Sequence, residues 1–275
     1  MAYDFGTADG HANGISLGAF ADAPTALSVA FWIRVQNVTI GATRCILNKR
    51  GGAANGWSIN LATDEKIEFI TDSGTAETDT STTALTLDQW HHVVVRWDGT
   101  TVTFYLDGVQ DGQKAHTTTA PTNAVAVFIG NRAALNNGAA CSIGNLMVWT
   151  ADIGVVGAGL AYYGVSPFAI APTANFLCWA DGNGDPGVDR LGLRTPAKSG
   201  VVSIRALQPK GSRVYPGFPG DCIEPTSLTF IIKVLNEVED LVDARVTYEE
   251  LMQIMNETLD LDDGVLEWVT ALPVD

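Results

Sequence analysis

Four groups of residues in this chain could do chemistry, and their spacing decides what each is suited to. Glycoside hydrolysis with retention needs two carboxylates about 5–5.5 Å apart, which alternate positions on one strand provide. No predicted strand carries such a pair. Glu237-x-Glu239-Asp240 comes nearest, and it falls on a helical pattern. His91 and His92 invite a metal or a catalytic base. Adjacent strand residues point to opposite faces, so the two rings cannot meet on one ion, and a structural role is expected. Cys45, Cys141, Cys178 and Cys222 show no metal-binding spacing and are expected as buried free thiols. The loops Asp4–Asn13, Asp72–Asp79, Asn131–Asn137 and Asp181–Asp189 are rich in oxygen donors of the kind calcium takes. None has a diagnostic spacing, and Asp, Asn and Gly are also the ordinary residues of turns. No catalytic, cofactor-binding or metal-ligating residue is therefore assigned.

The elements that must position these residues are short strands. Asp88–Gly108, DQWHHVVVRWDGTTVTFYLDG, is the clearest: a β-branched and aromatic run, Asp98-Gly99, a second run, then Asp107-Gly108. Both faces of the first run hold apolar residues, which predicts a strand buried on both sides. Leu27–Val35 alternates, with Leu27, Val29, Phe31, Ile33 and Val35 on one face. Further strands are predicted at Arg44–Arg50, Gly56–Leu61, Lys66–Thr71, Val125–Gly130, Cys141–Thr150, Asn175–Ala180 and Val201–Arg205. Ala62–Glu65 reads as a turn, Asp72–Thr83 as a loop, and Asp152–Gly164 as a short helix under a sheet edge. Trp57, Trp90, Trp97 and Trp149 lie on strands, where core packing is the expectation. This spacing of strands and turns predicts an all-β sandwich.

Composition separates one end from the rest. The 275 residues carry a net charge of −15, which argues against nucleic acid or an anionic membrane as partner. Asp221–Asp275 holds 14 of the 31 acids but only 2 of the 16 basic residues. It also carries a 3/4 apolar spacing at Ile231, Val234, Leu235, Val238, Leu241 and Val242, and a capping box at Thr247-x-x-Glu250. The expected organisation is a sandwich over 1–208 with its core in 1–180, a Pro/Gly linker at 209–220, and an acidic docking or oligomerisation segment at 221–275. No apolar stretch is long enough to span a bilayer, and the start of the chain lacks the pattern of a secretory signal.

The pieces AFWIRV at 30–35, WHHVVVRWDGTTVTFYLDG at 90–108, FIGNR at 128–132 and IGNLMVW at 143–149 resemble a laminin-G-like or pentraxin-like domain. These belong to the concanavalin A-like lectin/glucanase superfamily, and the likeness covers about residues 1–180. It implies a jelly-roll β-sandwich, here with a small acidic α/β extension. Pentraxins carry a disulfide cysteine between this His and Trp. Val93–Val95 fill that place, so that disulfide is absent. The glucanases of the superfamily show E-x-D-x-x-E or E-x-D-x-E, and no predicted strand does. Ca2+ at the sandwich rim is the ion the resemblance implies.

The GVSPFAIAP segment at 164–172, followed by NFLCW, resembles the tail of laminin-G-like proteins of bacteriophages. That likeness implies a non-enzymatic virion structural or adhesion protein: a capsid decoration, head-fibre or tail-associated protein, assembled in the host cytoplasm. Its partners would be other virion proteins and copies of itself through the C-terminal segment, and host-surface glycans. The alternative is a carbohydrate-binding lectin module outside any virion.

Overall fold

A computed structural model describes residues 2–7, 10–36, 42–51, 55–165, 170–171, 176–179 and 196–205. The chain falls into two units, Met1–Ser227 and Leu228–Asp275, and everything described belongs to the first. The expected linker at 209–220 and acidic segment at 221–275 lie outside the described residues, as do the 181–189 loop and most of the 164–172 segment.

The strands, in chain order, are β1 (Ala2–Asp4), β2 (Gly14–Ser16), β3 (Leu27–Val35), β4 (Arg44–Asn48), β5 (Asn55–Leu61), β6 (Ile67–Ser73), β7 (Ala76–Thr80) and β8 (Trp90–Trp97). Then follow β9 (Thr101–Leu106), β10 (Val109–Ala115), β11 (Phe128–Ile129), β12 (Cys141–Trp149), helix α1 (Gly154–Tyr162), β13 (Phe176–Trp179), β14 (Ala197–Ser199) and β15 (Ser203–Arg205). They form two antiparallel sheets. One runs β10-β9-β8-β3-β12-β1-β15, with β13 also paired to β12; the other runs β14-β2-β11-β4-β5-β6-β7. This is the expected all-β jelly-roll sandwich.

The core lies between the sheets. Phe31, Ile33, Val93, Val95, Trp97 and Phe104 meet Ile15, Leu47, Trp57, Ile59, Leu61 and Phe69 across it. Burying such side chains contributes roughly 1.5–3 kcal/mol apiece. The two strands of the Asp88–Gly108 stretch form as predicted. Asp98 Oδ1 accepts the N–H groups of Thr100 and Thr101, and Gly99 takes φ +94°. At the next turn both Asp107 and Gly108 have positive φ, the requirement of a tight hairpin turn.

β8 is buried on both sides because α1 covers the outer face of its sheet. Ala30, Val94, Tyr105, Met147 and Trp149 pack there with Ile153, Ala158 and Ala161. Arg96 fixes the approach to that helix. Its Nε and a terminal N–H donate to the two oxygens of Asp152 at 2.7 and 2.8 Å, and Asp152 Oδ1 also accepts the Gly154 N–H.

Three expectations are corrected. Asp72–Thr83 is not a loop: Ala76–Thr80 pairs with β6 over five positions. A strand unforeseen in the sequence, β10, follows Gly108 and pairs with β9. Val125–Gly130 contributes only Phe128–Ile129 as strand. The first two are polar edge strands with no apolar alternation. Cys45 and Cys141 are buried, as expected. Among the described residues no helix is long and apolar enough to cross a membrane.

Candidate functional site

The alternation of β5 sets up the best candidate. Trp57, Ile59 and Leu61 enter the core, so Gly56, Ser58 and Asn60 face outward. Ser58 lies across from Asn48 on β4 and Ile70 on β6; Asn60 lies across from Cys45 and Glu68; Gly56 lies across from Asp72. The middle of this outer face thus combines small and polar side chains with Ile70. Asn60 Nδ2 donates to Glu68 Oε1 at 2.9 Å. At one end Arg50 pairs with Asp72, whose other oxygen accepts the Gly74 N–H.

Three polar atoms here are left over. Ser58 Oγ, Asn60 Oδ1 and Arg50 Nε are buried and have no hydrogen-bond partner. Ser58 is 0% exposed and Asn60 4%. An unmade hydrogen bond on a buried group costs about 1–3 kcal/mol, and native interiors leave few of them. A hydroxyl, an amide oxygen and a guanidinium N–H on one side of the sandwich form a mixed donor and acceptor set, the kind a polyhydroxylated ligand satisfies. Ser16, Thr80 and Phe128 around it are half-buried, and Thr78 is exposed.

A second cluster sits at the edge of the same sheet, facing inward. Glu77 and Asp79, two apart on β7, lie across from Thr71 and Phe69. His116 Nδ1 is 2.8 Å from Asp79 Oδ2, and its Nε2 is 2.7 Å from Thr71 Oγ1. The order Asp, His, Thr has the composition of a nucleophile relay, but it cannot work as one here. Thr71 is fully buried, and its hydroxyl donates to Thr118 O at 2.6 Å. Glu77 Oε2 accepts the N–H groups of Thr117 and Thr118. Burial opposes the charge on Glu77, but those hydrogen bonds and the nearby His116 outweigh it and hold its carboxyl below the usual carboxylate range. Glu77, Asp79 and His116 are close enough to share a metal ion, yet each already has a protein partner. The cluster clasps the 116–118 strap to the edge strand. Inward-pointing charge is also a recognised guard against edge pairing. The sequence reading missed it, although Glu77-x-Asp79 was visible as a carboxylate pair within the stretch assigned to a loop.

The histidine pair diverges as expected. His91 Nδ1 meets Asp107 Oδ2 at 2.8 Å, and its Nε2 accepts the Thr86 N–H. His92 points to the other side, edge-on to Trp32 and Tyr162 with ring centroids 5.2 and 5.4 Å away. Neither of its ring nitrogens has a partner. Burial pushes its pKa down to about 3, with only partial opposition from Asp107, so the ring is neutral.

The rim loops at 4–13 and 131–137 were also expected places for Ca2+, and their described side-chain oxygens are engaged by protein donors. Asn131 Oδ1 accepts the N–H groups of Arg132 and Asn137. Asn13 Oδ1 accepts the Val201 N–H, and Asp4 Oδ1 accepts from Gly6 and Gln36. Asn137 Oδ1 takes Arg44. These side chains fold the loops back on themselves. Trp57, Trp97 and Trp149 are core residues, at 1%, 1% and 0% exposure, while Trp90 is half-buried. The spelling Gly14-x-Ser16-x-Gly18 matches a nucleophile elbow, but here it opens as strand β2, with Ser16 across from Phe128 and Ala197.

Two antiparallel sheets in this order make a lectin-type sandwich. A family model described as the concanavalin A-like lectin/glucanases superfamily, Laminin_G_3, matches residues 9–153, over half of the chain, and the chain belongs to that family. Among solved structures, a candidate carbohydrate binding protein from Bacteroides ovatus is similar with a TM-score of 0.56 at 15% identity. The match covers 74% of this chain and 59% of that one, so the chain spans well under two thirds of its length. A heptameric SAP-like pentraxin from Limulus polyphemus matches at 0.46 and 16% identity, covering 58% of this chain and 81% of its own. The binding domain of Paraclostridial Mosquitocidal Protein 1 matches at 0.43 and 15%, covering 55% and 40%. At these identities the likeness is one of fold. No curated protein matches the chain.

Proposed function

We propose that this chain is a non-enzymatic carbohydrate-binding module whose ligand lies on the outer face of the seven-stranded sheet. The observation that carries this reading is the set of orphaned buried groups, Ser58 Oγ, Asn60 Oδ1 and Arg50 Nε. Sugar hydroxyls both donate and accept, so one glycan can satisfy all three kinds of group. The fold likeness to a candidate carbohydrate binding protein supports the same reading. The centre of the face is buried, with Ser58 0% and Asn60 4% exposed. A non-catalytic role is supported by the strand-borne carboxylate pair, Glu77 and Asp79, being capped by backbone N–H groups and His116.

The test is a glycan array probed with the full chain and with Asn60→Ala. Binding that Asn60→Ala weakens by about ten-fold or more, the loss of one well-made buried hydrogen bond, supports the reading. Absence of binding across a broad array, or binding that ignores Asn60, contradicts it.

The acidity and helical spacing of Asp221–Asp275 favour a further step, display on a virion as a capsid decoration, head-fibre or tail-associated protein anchored by that segment. Deleting Asp221–Asp275 then abolishes incorporation into particles. Normal incorporation of the truncated chain removes the anchoring role.

A further inference from the structure

Where β4 meets the irregular stretch 116–127, an amine, a carboxamide and a carboxylate converge. Lys49 is 1% exposed. Its Nζ donates to Val125 O at 3.0 Å, Asn123 O at 3.1 Å and Asn123 Oδ1 at 3.3 Å, and lies 3.3 Å from Asp22 Oδ1. The carboxamide it touches is held from every side. Asn123 Nδ2 donates to Lys49 O and Asn55 O, each at 3.0 Å, and Oδ1 accepts the Val125 N–H at 3.0 Å. Asp22 is pinned as well, because its Oδ1 accepts the Asn123 N–H at 2.9 Å. Gly56 completes the enclosure: a Cβ there would collide with Lys49 O and Asn123 Nδ2.

We propose that Lys49 and Asn123 condense to an intramolecular isopeptide bond between Nζ and Cγ, with Asp22 as the proton-transfer group. The fold supplies the arrangement such a reaction needs. A nucleophile and an electrophile fixed in contact react as one molecule rather than two. Asp22 accepts a proton from the Lys49 ammonium, and the freed lone pair attacks Asn123 Cγ. The Val125 N–H already donates to Oδ1, so it stabilises that oxygen as negative charge develops on it. One proton of the attacking nitrogen passes to Nδ2, the Cγ–Nδ2 bond breaks, and ammonia leaves. The proton held by Asp22 departs with it as ammonium, which restores the carboxylate. One C–N bond forms and one breaks, with no change of oxidation state and no other reactant.

The product joins the residue after β4 to a stretch that has no regular structure, across 74 residues of sequence. It therefore restricts the unfolded chain in the way a disulfide does. Such a staple suits a module exposed on a surface, but it does not depend on the glycan reading.

The experiment is intact-mass measurement of the full chain with a tryptic map, alongside Lys49→Arg and Asn123→Asp. The expected mass is one ammonia below that of the sequence. Trypsin leaves the bond after Lys49 uncut, and the Lys49 and Asn123 peptides run joined. Lys49→Arg restores the full mass, and Asn123→Asp loses one water instead. Separate peptides of unmodified mass overturn the proposal. So does ammonia loss that persists in Lys49→Arg without joined peptides, which would mark an Asn-Gly succinimide instead.

Discussion

Asp79 Oδ2 meets His116 Nδ1 at 2.8 Å, and that contact closes the edge of the seven-stranded sheet over the core. His116 is fully buried, and its ring lies against Phe69 and Trp97, with centroids 5.0 and 6.1 Å away. One side chain therefore joins the edge strand, the 116–118 strap and the core. His116→Ala leaves Asp79 without its partner and opens space beside Phe69. It should cost roughly 3 kcal/mol, the sum of a charge-assisted hydrogen bond and lost packing. Urea denaturation of the variant measures this, and glycan binding at the opposite face of the sheet should survive at temperatures where it is folded.

His92 makes stability depend on pH with a definite sign. Its folded pKa, about 3, is below the ordinary value of 6.5. The unfolded chain therefore binds the proton more readily than the folded one between those values. The contribution is fully present above about pH 6.5 and is lost as pH falls toward 3, at a limiting slope near 1.4 kcal/mol per pH unit. His92→Phe keeps a ring beside Trp32 and Tyr162 and should remove that part of the slope. Parallel urea titrations from pH 7.5 down to 4.5 compare the two; equal slopes would mean that the ring is not neutral and buried.

Arg96 and Asp152 control how α1 seats. The pair is bidentate, and Asp152 lies two residues before the helix. Burial opposes the charge on Asp152, but Arg96 and the Gly154 N–H outweigh it and hold its carboxyl below the usual range. Asp152→Ala should lower stability by about 1–3 kcal/mol. Amide exchange over residues 154–162 should accelerate more than exchange in β5 and β6.

Much of the fold was legible from alternation. In β3, β8 and β9 the apolar parity and the Asp-Gly turns were enough to place strands and assign faces. β7 and β10 were not legible, for a shared reason. Both are edges, so AETDT and VQDGQKA bury no apolar stripe, and the inward residues of β7 are carboxylates that need His116, 37 residues away, to make sense. The candidate site was half legible. GWSINL shows Ser58 and Asn60 on the polar side of a strand. That their oxygens lack partners depends on the registers of β4 and β6 against β5, which no local pattern encodes. In the rim loops at 4–13 and 131–137, Asp and Asn residues of calcium-like type accept from loop N–H groups and from Gln36 and Arg44.

Ser58 tests the central claim most directly, because an orphaned buried hydroxyl has opposite effects on stability and on binding. Removing it deletes a desolvated group with no partner, so Ser58→Ala should match or exceed the parent in stability, by up to about 1 kcal/mol. The same change removes a ligand contact. Calorimetric titration of the parent and of Ser58→Ala with a glycan selected from the array should show affinity reduced about five-fold or more in a protein at least as stable. Unchanged affinity in Ser58→Ala would contradict a glycan site on this face.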